Sequence, residues 1–184
     1  MKNKILFILL AILTLGQTAL AENIVNTKTR VISVAPTVDT GAYASGDLVG
    51  PMQTLTGAGA GGGLVPQAGM FSGILHAVTI TDLDNQAADF DLVVFSSLPS
   101  GTTFTDNSPF DIADADLPKV ACVLQVTTNV AFNDNAVIIA NGTNCVFDAR
   151  ASTVPGTIYV APVIRSAGTF SASGLTFRYA ILQD

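Results

Sequence analysis

The sequence predicts an all-β protein, an antiparallel β-sandwich or barrel in a single domain. Apolar and polar residues alternate in short segments, which is the pattern of half-buried strands. Turn-forming residues are plentiful, with 16 glycines and 8 prolines, whereas Glu22 is the only glutamate and lysines number four. Glutamate and lysine commonly form the solvated faces of surface helices, so their scarcity argues against such helices. After residue 21, no segment of ten or more residues has a helical period.

Nine segments carry the alternation or the β-forming composition. In one of them, the period of two places Ile74, His76, Val78 and Ile80 on one face. In chain order, the candidate strands are residues 29–35, 47–55, 72–81, 88–95, 119–126, 135–140, 144–148, 157–165 and 174–182. A single helical turn is expected at residues 111–117, where Asp111 can cap the backbone and Pro118 ends the segment.

Residues 1–21 (MKNKILFILLAILTLGQTALA) have the three parts of a secretory signal peptide: Lys2 and Lys4, an apolar run and a small-residue cleavage site. We expect cleavage between Ala21 and Glu22, leaving a β-sandwich domain of residues 22–184. The run of 11 apolar residues is shorter than the roughly 20 that span a membrane. The pattern therefore predicts an exported protein, periplasmic or extracellular, without stable membrane insertion after cleavage. The alternative is an uncleaved N-terminal anchor or a buried strand.

The net charge excludes nucleic acid as a direct partner. The chain has 14 acidic and 8 basic residues, a net charge of −6. Without Lys2 and Lys4 the net charge becomes −8. Nucleic-acid binders need clustered lysine or arginine to displace the counterions of phosphates, but the arginines of this chain are scattered singly.

Both cysteines are expected to point into the core from different strands. Cys122 alternates with Val120 and Leu124, and Cys145 shares a face with Phe147. If the chain is exported, the oxidising environment outside the cytoplasm permits a disulfide between them. The alternative is two buried thiols that behave as small hydrophobic residues. Two cysteines and one histidine do not fill a tetrahedral zinc site.

No motif indicates an enzyme or a cofactor. Residues 57–63 (GAGAGGG) formally contain G-x-G-x-x-G, but no helix and no alternating β and α units follow, so we interpret the stretch as a flexible loop. A serine nucleophile elbow, G-x-S-x-G, is absent from the sequence. His76 is the only histidine, and its apolar neighbours predict a core or interface position. We therefore expect a non-enzymatic protein.

Two groups of aspartates and one Asn-Gly pair have a structural and a functional interpretation. The aspartates could hold a calcium ion, although turn and capping roles are expected to prevail. Asn141-Gly142-Thr143 fits a glycosylation acceptor, but Asn-Gly is first a hairpin-turn signal. The aspartates are Asp82 and Asp84 in one group and Asp106, Asp111, Asp114 and Asp116 in the other.

Several segments, in order, resemble small structural proteins of tailed bacteriophages, of the decoration or head-associated kind. The most specific are AYASGD (residues 42–47) and ILQD (residues 181–184). The others are TVDTGAYASGDLVG, SGILHAVTITDLD, DLVVFSSLPS, TFTDN, DADLPK, TIYVAPVIRSAGT and LTFRYAILQD. The resemblance covers residues 31–184 and implies a structural role in the virion. It also implies a jelly-roll-like sandwich and supplies no catalytic residues.

Assembly fits this composition, since unpaired edge strands are commonly closed by a neighbouring copy. We expect a homo-oligomer, a trimer where it is mounted at a local symmetry axis, with a capsid or cell-surface protein as a further partner. Phage heads assemble in the cytoplasm, whereas the leader predicts export, so the site of action is either the virion or the cell exterior. The alternative function is a secreted bacterial surface module, fimbrial, adhesin-like or carbohydrate-binding.

Overall fold

The structure is a computed structural model that describes residues 28–56, 72–150, 152, 154 and 156–183. In these ranges the chain forms eleven strands and a short 3₁₀ helix, Leu117–Lys119. The strands are β1 (Lys28–Val34), β2 (Ala42–Tyr43), β3 (Gln53–Thr56), β4 (Ser72–Asp82), β5 (Phe90–Phe95), β6 (Val120–Val126), β7 (Thr128–Ala131), β8 (Ala136–Asp148), β9 (Thr157–Ile164), β10 (Gly168–Thr169) and β11 (Leu175–Gln183). Within the same ranges, no helix has the length and hydropathy needed to cross a membrane.

The strands form two antiparallel sheets and a small ribbon. The five-stranded sheet has the order β1-β11-β4-β8-β7, the four-stranded sheet has the order β3-β9-β5-β6, and β2 pairs with β10. When the eight strands other than β2, β7 and β10 are numbered from one to eight, the sheets follow the orders 1-8-3-6 and 2-7-4-5. That is the strand order of a jelly roll. The predicted all-β sandwich and the jelly-roll arrangement are therefore confirmed.

The main core lies between the sheets and contains alternate side chains from both. Phe177 of β11 meets Phe90 of β5 edge to face, with ring centroids 5.8 Å apart, a geometry that stabilises by about 0.5–1.5 kcal/mol beyond burial. The buried Tyr179 donates its hydroxyl hydrogen to Gln53 Oε1 of β3 at 2.6 Å. Burial raises the pKa of Tyr179, so the hydroxyl stays protonated. This hydrogen bond joins the two sheets through the core.

The two central strands of the four-stranded sheet, β5 and β9, are also buried on their outer face. Residues 96–116, here called the covering loop, lie over it, so all six residues of β5 are buried. Val93 and Phe95 of β5 pack with Phe104, Phe110 and Ile112 of the covering loop. The Phe104 ring lies 6.3 Å from that of Phe95 and 5.7 Å from that of Phe110, centroid to centroid. A second apolar cluster therefore forms outside the sandwich.

A β-bulge in β4 changes which residues face the core. The register of β4 against β8 shifts between Leu75 and Ala77, which inserts His76 as an extra residue. Leu75 and Val78 are both buried although they are three positions apart, and His76 is exposed. The prediction that Ile74 and His76 share a face with Val78 was therefore wrong, and His76 is not a core residue.

The strands predicted on either side of Asn141 and Gly142 are one 13-residue strand, β8. Asn141 pairs with Ala77 of β4, and the next paired residue of β8 is Cys145, opposite Leu75. The residues between Asn141 and Cys145 therefore bulge out of the ladder. Gly142 adopts φ +66° there, a conformation that glycine tolerates, and Thr143 donates its hydroxyl hydrogen to the Leu75 carbonyl. The predicted hairpin turn at Asn-Gly was wrong because the glycine serves this bulge.

Two other boundaries differ from the prediction. Of the predicted strand 47–55, only β3 is regular, with isolated bridges at Asp47 and Leu48. The helical turn predicted at residues 111–117 lies later, as the 3₁₀ helix Leu117–Lys119. Pro118 stands in the first turn of this helix. Proline suits the first turn of a helix, where its missing N–H costs nothing, so it begins this helix instead of ending one. The four-residue strand β7 was not predicted.

A second bulge, in β6, separates residues predicted to share a face. Val94 pairs with Cys122 and Phe95 with Val120, which leaves Ala121 as an extra residue. Val120 therefore packs against the second cluster, whereas Cys122 packs against the main core. The predicted common face of Val120 and Cys122 was wrong for this reason.

Cys122 and Cys145 form a disulfide, with Cα atoms 5.7 Å apart. Cys122 belongs to the four-stranded sheet and Cys145 to the five-stranded sheet. The bond therefore links the two sheets covalently at the side where β6 and β8 are neighbours.

Removing the disulfide should lower stability substantially. The bridge closes a loop between cysteines 23 positions apart, and chain entropy predicts a loss of about 3 kcal/mol for a loop of this size. The double variant Cys122→Ala/Cys145→Ala should therefore unfold at lower urea concentration than the wild type, measured by circular dichroism. The control is the wild type in reducing agent, which should shift in the same direction. Equal midpoints for all three samples would contradict this role.

Candidate functional site

Asp82 and Asp84 organise the turn between β4 and β5. The buried Asp82 accepts hydrogen bonds from the backbone N–H groups of Asp84, Gln86 and Ala87 at 2.7–2.9 Å. Asp84 Oδ2 accepts from the Ser171 backbone N–H at 2.8 Å and from its hydroxyl at 3.0 Å. These oxygens are therefore engaged in holding two turns together, the turn role expected for them.

Asp106 ties the covering loop to the segment between β1 and β3. Its Oδ1 accepts from the Tyr43 hydroxyl at 2.7 Å and from the Gly50 N–H at 2.6 Å, and its Oδ2 accepts from the Asp39 N–H at 2.7 Å. The pKa of Tyr43 is raised, first by burial and then by the hydrogen bond to Asp106. Tyr43 thus acts as a fixed hydrogen-bond donor.

Asp116 closes the other end of the covering loop. One carboxylate oxygen accepts from the Gly101 and Thr102 backbone N–H groups and the Thr102 hydroxyl, and the other pairs with Lys119 Nζ at 2.7 Å. The hydrogen bond from Lys119 is the largest cause that lowers the pKa of Asp116 to about 2. Asp111 and Asp114 are exposed.

The described ranges bring no three histidine, cysteine, aspartate or glutamate side chains together in a way that could hold a metal. Two sequence-derived candidates lie outside these ranges: the glycine-rich residues 57–63 and the leader with its cleavage site at Ala21 and Glu22.

A cavity of about 450 Å³ opens on the four-stranded sheet beside the covering loop. Val93, Val123 and Val163 form its floor. Its charged lining includes Asp111 and Arg165, and Arg165 Nε donates to Asp91 Oδ2 at 2.7 Å. Among the described residues, its lining contains no serine, cysteine or histidine.

The outer face of the five-stranded sheet, here called the open face, is the largest feature that no described segment covers. The cross-strand register places alternate residues of all five strands on it. Its residues are Thr29, Val31, Ser33, Ser72, Ile74, Ala77, Thr79, Thr81, Thr128, Val130, Val137, Ile139, Asn141, Val146, Asp148, Thr176, Arg178, Ala180 and Leu182.

The open face is nearly uncharged and partly apolar. Arg178 and Asp148 are the charged side chains among its residues. Three of its valines expose about half or more of their surface: Val31 (51%), Val130 (45%) and Val146 (64%). An ion pair of Arg150 with Asp148 lies at the rim, where β8 ends. Extended apolar patches on soluble proteins mark interaction surfaces, so this face is the candidate functional site.

Sequence reasoning did not find the open face. The signal was present, since the residues that alternate with the buried ones in β4 and β11 are mostly threonine, alanine and larger apolar residues, with Arg178 as the charged exception. The strand pairing was needed to bring these residues together on one surface.

No protein-family model matches this chain, and no curated protein matches it either. Among solved structures, the chain is similar to Desmodium yellow mottle tymovirus, with 12% sequence identity, 86% of this chain and 82% of that chain covered, and a TM-score of 0.26.

Replacing Asp116 should make the stability of the fold less sensitive to pH in the acid range. Because the pKa of Asp116 is lowered to about 2 from 3.8, its contribution is complete above about pH 4 and is lost as the pH falls toward 2. Asp116→Asn should therefore lower stability at pH 7 and flatten the loss of stability between about pH 4 and pH 2, measured by urea unfolding at each pH.

The matched control is Asp114→Asn, an exposed position in the same turn, which should behave like the wild type at both ends of this range. If the two variants gave the same pH profile, Asp116 would have no special role in holding the covering loop.

Proposed function

We propose that this protein is a non-enzymatic structural protein that acts by packing against copies of itself, of the kind that decorates or joins a virion head. The observation that carries the proposal is the difference between the two sheets. The centre of the four-stranded sheet is covered by the chain's own loop, whereas none of the described segments covers the open face of the five-stranded sheet, whose charged side chains are Arg178 and Asp148. A face of this composition has more to gain from contact with protein than from contact with water.

Two further observations support the virion reading. The segments that resemble phage head-associated proteins include the turn at residues 42–47, which the buried Tyr43 and Asp47 fix in place. In addition, viral capsid domains are one of the groups of proteins built as jelly rolls. The same fold also serves lectin domains and cupins, so the fold alone does not decide the function.

The second candidate is an exported surface module, fimbrial, adhesin-like or carbohydrate-binding. The Cys122–Cys145 disulfide favours it, because disulfides persist in oxidising compartments outside the cytoplasm. This candidate and the virion protein share the non-enzymatic, packing-based mode of action. They differ in where the mature chain acts.

The oligomeric state tests the shared part of the proposal. Size-exclusion chromatography with light scattering of the mature chain, residues 22–184, should give a mass that is a multiple of the monomer and that falls on dilution. A trimer is the form that the phage resemblance implies. A monomer over a wide range of concentrations would overturn the proposal of self-association.

The N-terminus of native material distinguishes the two candidates. Mass spectrometry should find Glu22 as the first residue if the leader is cleaved and the protein exported. An intact Met1 or Lys2 would contradict export and favour a virion component made in the cytoplasm. Neighbouring genes for capsid, portal or tail proteins would support the virion, and a secretion or usher gene would support the surface module.

A further inference from the structure

The cavity beside the covering loop, here called the loop cavity, has an apolar interior that reaches the surface. Its volume of about 450 Å³ lies within the range of about 300–1,000 Å³ that is usual for ligand pockets. Val93 and Val163 of its floor are buried, whereas Val123 of the floor is 50% exposed and Leu117 of the lining is 52% exposed. Apolar surface is therefore in contact with water here, and covering it with an apolar group is favourable.

The charged side chains of the loop cavity leave two carboxylates uncompensated. Arg165 donates from Nε to Asp91 Oδ2 at 2.7 Å, so these two charges balance each other. Asp111 and Asp114 also line the cavity and are exposed. Among the described residues, neither of their side chains takes part in an ion pair or a hydrogen bond. The lining thus combines an apolar surface with an excess of negative charge.

We infer that the loop cavity binds a lysine or arginine side chain of another, basic protein. Such a side chain has an apolar stem with a cation at its end. The stem lies on the valines of the floor, and the cation reaches the carboxylates of Asp111 and Asp114. The cavity belongs to the four-stranded sheet, so this binding goes beyond the proposed self-association through the open face and does not depend on it.

Other classes of ligand match the lining less well. A neutral apolar ligand covers carboxylates without pairing them, and a buried charge without a partner is costly. An anion has to compete with Asp91 for Arg165 and to approach Asp111 and Asp114 against their charge. A cation with an apolar stem meets matching chemistry at both of its ends.

The charge of the whole chain favours another protein over a second copy as the source of this side chain. The net charge is −6, so two copies repel each other at a distance, whereas a basic protein is attracted. Three of the chain's own basic side chains are already engaged in ion pairs: Lys119, Arg150 and Arg165. The expected partner is therefore a protein whose contact surface is rich in lysine or arginine.

Three acetylated and amidated tripeptides test the cavity, with alanine on either side of lysine, norleucine or glutamate. Norleucine keeps an unbranched apolar stem and lacks the charge. Amide chemical shifts of the isotope-labelled mature chain, including those of Leu117 and Val123, report the binding. The lysine peptide should bind with a dissociation constant on the order of 1 mM, because a single side chain supplies few contacts. The norleucine peptide should bind about fivefold more weakly, and the glutamate peptide should not bind in the same range.

Removing the two carboxylates should abolish the preference for the cation. Asp111→Asn/Asp114→Asn should weaken the lysine peptide about fivefold, to the affinity of the norleucine peptide, whose own affinity should stay the same. The matched control, Asp134→Asn/Asp148→Asn, removes two exposed aspartates outside the lining and should leave both dissociation constants unchanged. Circular dichroism verifies that both variants fold.

Changing the floor should act on the stem instead of the charge. Val123→Ser should weaken the lysine and norleucine peptides equally, by about threefold, because it removes apolar surface that both stems cover. Added salt should weaken the lysine peptide alone, since it screens the attraction between exposed charges.

Three outcomes would overturn the inference. Equal affinity of the lysine and norleucine peptides for the wild type would show that the carboxylates do not select the ligand. Tighter binding of the glutamate peptide would assign the cavity to an anion through Arg165. Equal weakening of the lysine peptide by Asp111→Asn/Asp114→Asn and by the control would assign the attraction to the charge of the whole chain. All three are independent of the oligomeric state of the wild type, on which the proposed function is tested.

Discussion

Apolar burial on both sides of the central strands of the four-stranded sheet, β5 and β9, is the constraint on which the rest of the structure depends. Strand β5 directs Phe90 and Val94 into the core between the sheets and Val93 and Phe95 into the cluster under the covering loop. Because neither face of β5 is solvated, its packing determines the positions of its neighbours β9 and β6 and of the covering loop. The five-stranded sheet has no such cover in the described residues, so the two sheets differ in what they can contact.

The few charged residues are used to hold loops in place. Asp82, Asp106 and Asp116 each accept several hydrogen bonds from backbone groups that no strand satisfies. Backbone polar groups that are buried without a partner are costly, and a carboxylate satisfies two or three of them at once. The oxygens of these acids are thus engaged with donors of the protein's own backbone.

The sequence predicted the strands well and their irregularities poorly. The sequence pattern located six of the eight jelly-roll strands to within two or three residues, because burial of one face imposes alternation, whereas β8 was predicted as two strands and β3 began too early. The pattern failed at His76 and Val120, where a single inserted residue reverses the faces, and at Asn141-Gly142, whose signal is the same for a turn and a bulge. The open face could not be predicted, because it exists only once the register of five separate strands is known.

The pairing of β1 with β11 joins the two ends of the described chain. Lys28 lies opposite Gln183, and seven residue pairs connect these strands. Because β11 lies between β1 and β4, the N-terminal strand gains its place in the sheet only after the last residues are available. Contacts between such distant positions make folding slow. The jelly roll therefore closes only when β11 is in place to pair with both β1 and β4, so this late strand couples the two halves of the five-stranded sheet.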